Sequence, residues 1–171
     1  PAAGQTICGW VKTDISDQSV WGFSSDSPPG AANDRCVYIT PSGEVSVFIY
    51  DGVVQTVTST TAVDDNLWHH VAFVYTSGEG IRIYRDGQEE GLVASCAPYN
   101  GNIDSYFIIG SQGHLVVAQP YFSGRLDDIR IYEKGLSSTE IQAVYDAVPN
   151  TGPISNHVFE IFIEQMWDYD L

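Results

Sequence analysis

The sequence predicts an all-β fold: a two-sheet antiparallel jelly-roll sandwich with one short helix near the C-terminus and an extra C-terminal strand. Three observations predict it. Short runs rich in Val, Ile, Thr and aromatic residues recur along most of the chain. Turn chemistry separates them at regular intervals, as in Pro41-Ser42-Gly43, Asp51-Gly52, Ser77-Gly78 and Asp86-Gly87. Helical periodicity is confined to one stretch after Leu136.

In chain order the predicted strands are Thr6 to Lys12, Ser19 to Ser24, Arg35 to Thr40, Val45 to Tyr50 and Val53 to Ser59. His69 to Thr76, Gly80 to Arg85, Leu92 to Ser95, Tyr106 to Gly110 and Gly124 to Tyr132 complete the set. Asp-Gly between apolar alternations is the firmest hairpin signal, because both turn positions need positive φ. Between strands, Ser24 to Asp34 is polar and carries Pro28-Pro29-Gly30, the composition of an exposed loop. The helix is signalled by Ser137 at the cap, Glu140 three residues on, and Leu136 and Ile141 as a hydrophobic staple. Ile141, Val144 and Tyr145 make its apolar face, and Pro149 with Gly152 stops it. Short and following a strand, it is expected to be a lid on a sheet edge or barrel end.

The 171 residues include 7 Lys or Arg against 22 Asp or Glu, a net charge of −15. With 43% hydrophobic and 17% charged residues the chain is globular, and one domain of this length buries a core without staples. Strong acidity argues against nucleic acid, which needs clustered cations, and against an anionic membrane surface. No apolar run is long enough to span a bilayer, and no signal-peptide pattern is present. The chain opens at Pro1 without Met, which leads us to expect a processed product or an excised piece. Cys8, Cys36 and Cys96 form no C-x-x-C, and no His stands at zinc-ligand spacing from them. They read either as three small buried residues or as one bridge, for which Cys36 with Cys96 is the expected pair.

Four stretches, in order, resemble a laminin-G-like, concanavalin A-like jelly roll close to the pentraxin branch: Thr6–Lys12 (TICGWVK), Leu67–Tyr75 (LWHHVAFVY), Ile81–Gly87 (IRIYRDG) and Phe122–Ile141 (FSGRLDDIRIYEKGLSSTEI). Phe107-Ile108-Ile109-Gly110 is similar to the family's short strand ending in Gly. The resemblance implies a two-layer sandwich over residues 1–148, and Trp68, Val71, Phe73 and Tyr75, which do not share one face, agree with a strand buried on both sides. It also implies a strand before Thr6 that the short opening segment lacks. Past the family pattern, residues 149–153 read as a linker and 154–171 as a further strand. There, Phe159, Ile161, Ile163, Trp167 and Tyr169 alternate with Glu160, Glu164, Asp168 and Asp170. That strand is expected either to complete its own sheet or to cross to a neighbouring copy by strand exchange, which would build a filament.

Catalysis is not expected. The hydrolases of this fold place acids on alternate strand residues, whereas Glu89-Glu90 and Asp127-Asp128 are adjacent and diverge. His69 and His70 diverge for the same reason and read as structural. Relatives often hold calcium at the sandwich rim, and the resemblance places Asp127 and Asp128 on their acidic pair, so calcium is the cofactor to expect. Other loop acids, Asp64 and Asp65 among them, read equally well as solvated turn residues. Glycans are the other candidate partner, with Trp10, Trp21, Tyr99 and Tyr121 as possible stacking platforms. The sequence thus points to a non-catalytic extracellular or cell-surface module, structural or adhesive, that assembles with copies of itself through its C-terminal strand; the alternative is a calcium-assisted glycan-binding domain.

Overall fold

The computed structural model describes residues 4–24, 33–50, 53–94, 106–111, 117–118, 120–147 and 162–163. The first strands are β1 (Gly4–Lys12), β2 (Gln18–Ser24), β3 (Asn33–Ile39), β4 (Glu44–Tyr50), β5 (Val54–Ala62) and β6 (His69–Thr76). Then come β7 (Gly80–Arg85), β8 (Gln88–Ala94), β9 (Tyr106–Ile109), β10 (Arg125–Tyr132), the helix α1 (Ser138–Asp146) and β11 (Phe162–Ile163). They build one sheet in the order β11-β10-β1-β6-β7-β8 and a second in the order β5-β4-β3-β2-β9. Every pairing is antiparallel except that of β10 with β11. The fold is the jelly-roll sandwich read from the sequence.

Its core follows from strand periodicity. Ile7, Val11, Val71, Phe73, Ile81 and Ile83 of the first sheet meet Trp21, Val37, Ile39, Val47, Ile49 and Val57 of the second. β6 is buried on both faces, as its sequence implied. Val71, Phe73 and Tyr75 point into the sandwich, while Ala72 and Val74 pack with Cys8, Tyr84, Leu136 and Ile141 beneath α1. The helix therefore covers the outer face of the first sheet and does not lid an edge or a barrel end. The reason is that β1, β6 and β7 supply the apolar outward residues that Leu136 and Ile141 need.

The capping box is present. Ser137 Oγ accepts from the Glu140 amide at 3.3 Å, and Glu140 Oε2 accepts from the Ser137 amide at 2.9 Å. The Lys134 ammonium, 2.6 Å from Glu140, leads the interactions that pull this carboxyl down to about 2. Thr6 ties the start of the helix to β1, its hydroxyl donating to the Lys134 carbonyl at 2.8 Å and accepting from the Leu136 amide at 2.9 Å.

One boundary differs notably from expectation. β8 starts at Gln88, not Leu92, because Asp86 (φ 49°) and Gly87 (φ 79°) make a two-residue turn that pairs Arg85 with Gln88 at once. Turn geometry draws three polar residues into a strand whose apolar signal begins later.

Of the C-terminal segment, 162–163 pair in parallel with Arg130 and Ile131 of the same chain, Ile163 standing in register with Ile131. Residues 149–153 and the other expected assembly positions, Phe159, Ile161, Trp167 and Tyr169, lie outside the described residues, as do Cys96, Tyr99 and the Asp51-Gly52 turn. Cys8 and Cys36 are both buried, and burial pushes the Cys8 thiol up to about 12. Among the described residues no helix is long and apolar enough to cross a membrane.

Candidate functional site

β1 and β10 are antiparallel neighbours, and their register sets Lys12 directly opposite Arg125. Directly opposed side chains on a sheet lie about 5 Å apart at Cβ, so two like charges there repel. The chain has only seven cations. Four of them, Arg82, Arg85, Arg130 and Lys134, reach carboxylates at 2.6–3.7 Å. A fifth, Arg35, is buried, bonds Gln5 at 2.8 Å and lies 4.3 Å over the Phe23 ring. Among the described residues, Lys12 and Arg125 meet no acid.

A cavity of about 300 Å³ opens between them at one end of the sandwich, lined by Lys12, Thr13, Asp14, Asn66, Gly124 and Arg125. Its backbone is tightly held. The Thr13 hydroxyl donates to the Ser123 carbonyl at 2.6 Å and accepts from the Gln18 amide at 2.9 Å and the Ile15 N–H at 3.0 Å. Gln18 Oε1 accepts in turn from the Ser123 N–H at 2.6 Å. Asn66, in the left-handed region at φ 62°, donates its N–H to the Thr13 carbonyl at 2.8 Å. Gly124 lets β10 start close against β1, since a Cβ there would stand 2.4 Å from the Lys12 carbonyl and 2.8 Å from the Phe122 ring. Within the described residues the side chains of Lys12, Asp14, Asn66 and Arg125 nevertheless engage no partner. The result is a rigid frame carrying uncommitted donors and acceptors, the arrangement of a preorganised polar binding site.

The loop that carries Asn66 is anchored by His69. Its Nε2 lies 3.0 Å from Asp65 and its Nδ1 2.9 Å from Asp86, which also accepts the His70 N–H at 2.9 Å. Burial depresses the His69 pKa, but its hydrogen bonds to the Asp86 and Asp65 carboxylates outweigh it and hold the imidazole above its ordinary range. Burial likewise works against the charge of both carboxylates, but hydrogen bonds from the Leu67 N–H and His69 hold Asp65, and from His69 and the His70 N–H hold Asp86, below the usual range. His70 faces the other way, 5.5 Å from the Trp10 ring and 6.0 Å from Tyr145, where burial pushes it down to about 4. The two histidines diverge and are structural.

The residues named from sequence fare differently. Asp127 and Asp128 do not fit a calcium ion. Arg130 forks onto both oxygens of Asp128 at 2.8 and 2.6 Å, placing a fixed cation where the metal would sit, and one oxygen of Asp127 accepts the Asp128 N–H at 2.8 Å. Among the described residues no group of three His, Cys, Asp or Glu is arranged to hold a metal ion. Asp65, another acid considered for a cation, is committed to His69 and the Leu67 N–H. Trp21 is 0% exposed and Trp10 is buried, so neither ring offers a face to a sugar. Strand alternation turns Trp21 into the core between the sheets and Trp10 against His70 and Tyr145. Tyr121 is 68% exposed, bridges to Ser111, and lies in the same segment as Gly124 of the cavity wall. Glu89 and Glu90 diverge as expected, the first toward Tyr84 and Arg82, the second onto the Thr60 and Thr61 amides.

Sequence reasoning missed Lys12, Arg125 and Asp14. The available signal was the scarcity of cations, which makes the place of each informative; the juxtaposition needs the β1–β10 register.

The two sheets and their strand order define the class of jelly-roll sandwich domains. This chain belongs to the concanavalin A-like lectin/glucanases superfamily, whose family model matches residues 1–142. No curated protein matches it by sequence. Among solved structures it is similar to the carbohydrate-binding module CBM40 of the Ruminococcus gnavus IT-sialidase bound to α2,3-sialyllactose. The TM-score is 0.68 at 18% identity, covering 84% of this chain and 83% of that one. The heptameric SAP-like pentraxin of Limulus polyphemus gives 0.62 at 14% identity, covering 84% and 70%. Domain 4 of AbnA, an extracellular arabinanase of Geobacillus stearothermophilus, in complex with arabinotriose, gives 0.61 at 16% identity, covering 84% and 66%. At these identities the likeness establishes the fold alone.

Proposed function

We propose that this domain is a non-catalytic glycan-binding module, working outside the cell, and that the cavity between Lys12 and Arg125 is its binding site. The observation that carries the reading is the set of four uncommitted polar side chains on a hydrogen-bonded frame. Sugars are recognised by such converging donors and acceptors, and exposed Tyr121 in the adjoining segment provides a ring of the kind that pyranoses stack on. Its support from the comparisons is that structures of this fold include modules solved with saccharides bound. A glycan array probed with the full chain tests it. Retention of a defined glycan family is expected, and an array without hits, repeated at millimolar oligosaccharide in solution, would remove the reading.

A second reading, self-association through the C-terminal strand, is favoured by one observation: the outer edge of β10 takes its partner from 162–163. An edge served by the far end of the chain is open to the same segment of another copy. Light scattering of the full chain and of a chain shortened by residues 154–171 tests it. Assemblies larger than one copy that vanish on shortening are expected, and a monomer in both cases would end it.

A further inference from the structure

Taking the glycan-binding reading as its base, we infer that the cavity selects saccharides carrying a single carboxylate, a sialic or uronic acid, with Lys12 and Arg125 holding the carboxylate between them. Three observations converge. The two cations are opposed across β1 and β10. Neither meets an acid among the described residues, in a chain with 22 of them. Both line one cavity with Asp14 and Asn66.

An anion between the cations turns their repulsion into two attractions, and the planar guanidinium matches a carboxylate with paired N–H donors. Asp14, which shares the lining, cannot face the carboxylate; it accepts from hydroxyls, as the Asn66 amide can donate and accept. The surrounding charge narrows the choice further. A net −15 repels a polyanion along its length, whereas one carboxylate in contact with two cations feels mainly those, since distant charges are screened beyond about 10 Å at 0.1 M salt. A single charged terminal sugar is favoured over a sulfated or polyuronic chain.

Calorimetry on the full chain tests this with 3′-sialyllactose, its carboxylate methyl ester, a glucuronic-acid-terminated disaccharide, lactose and heparin. Binding of one or both acidic sugars is expected, and which one binds separates the two carboxylate sources. The methyl ester should weaken binding on the order of tenfold or more, as should K12Q and R125Q singly, with R125K partly retaining it. Heparin should not compete. Equal binding of the ester or of lactose would overturn the carboxylate inference while leaving glycan binding intact. So would acidic sugars bound undiminished by K12Q/R125Q, with folding verified by a single cooperative melting transition. Heparin binding tighter than either single sugar would overturn the selectivity for one carboxylate. No binding of any saccharide would overturn both readings together.

Discussion

Lys12 and Arg125 face each other at the ends of β1 and β10, with no acid to separate them among the described residues. Opposed like charges destabilise a sheet by a few tenths of a kcal/mol, up to about 1. Replacing Arg125 with Gln is therefore expected to raise Tm slightly, by about 1–3 °C, in ligand-free protein at low salt. The gain should shrink at high salt, where the repulsion is screened. A melting temperature that falls instead would mean the pair is not repulsive.

Gly124 holds the two strands at the distance the cavity needs. Gly124→Ala places a Cβ 2.4 Å from the Lys12 carbonyl, a rigid backbone atom. We expect a loss of about 1–3 kcal/mol, the usual cost of overpacking, together with weakened saccharide binding. Urea unfolding and calorimetry on the same variant measure both; a fully stable variant would show that the strands can separate without penalty.

His69 and His70 should respond to pH in opposite senses. The folded pKa of His69 is raised above 6.5, so its contribution is fully present below about 6.5 and is lost as pH rises through the folded value. Asp65 and Asp86 are lowered, and their share is lost only as pH falls through their folded values, below about 4. His70, at about 4 folded against 6.5 unfolded, binds its proton more readily in the unfolded chain. It removes stability as pH falls from about 6.5 to 4, on the order of 3 kcal/mol. In melting curves from pH 4.5 to 9, H69N should cost most near pH 6 and least near pH 9, and H70F should flatten the acid-side decline. Curves parallel to wild type would refute the assignment.

The helix is held by its cap and by its apolar contacts, and the two are separable. Ser137→Ala removes the acceptor for the Glu140 amide and should cost about 1 kcal/mol. Leu136→Ala empties a site that is 5% exposed, against Ile141 and the outer face of β6, and should cost about 2–3 kcal/mol. Chemical denaturation ranks them, and the opposite order would mean that the helix is not anchored by its apolar face.

Most strands, the Asp86-Gly87 hairpin and the Ser137–Glu140 box were legible because each depends on residues close in sequence: alternation, turn φ values and a three-residue spacing. β8 was misjudged at Gln88 because a turn, not hydrophobicity, starts it. Burial of individual rings was less legible. Trp21 and Tyr121 are both aromatic residues in a β protein, and only the neighbouring sheet distinguishes one at 0% exposure from one at 68%.

By itself, the sequence determined the all-β class, the helix and its cap, the divergence of His69 from His70, and an acidic balance in which cations are few. Those properties are local or compositional, so no knowledge of distant neighbours is needed. Tertiary structure alone decided that Arg130 occupies Asp128, that α1 covers a sheet face, and that Lys12 meets Arg125. The last two positions are far apart in the chain, and only the register of β1 on β10 brings their charges to one place.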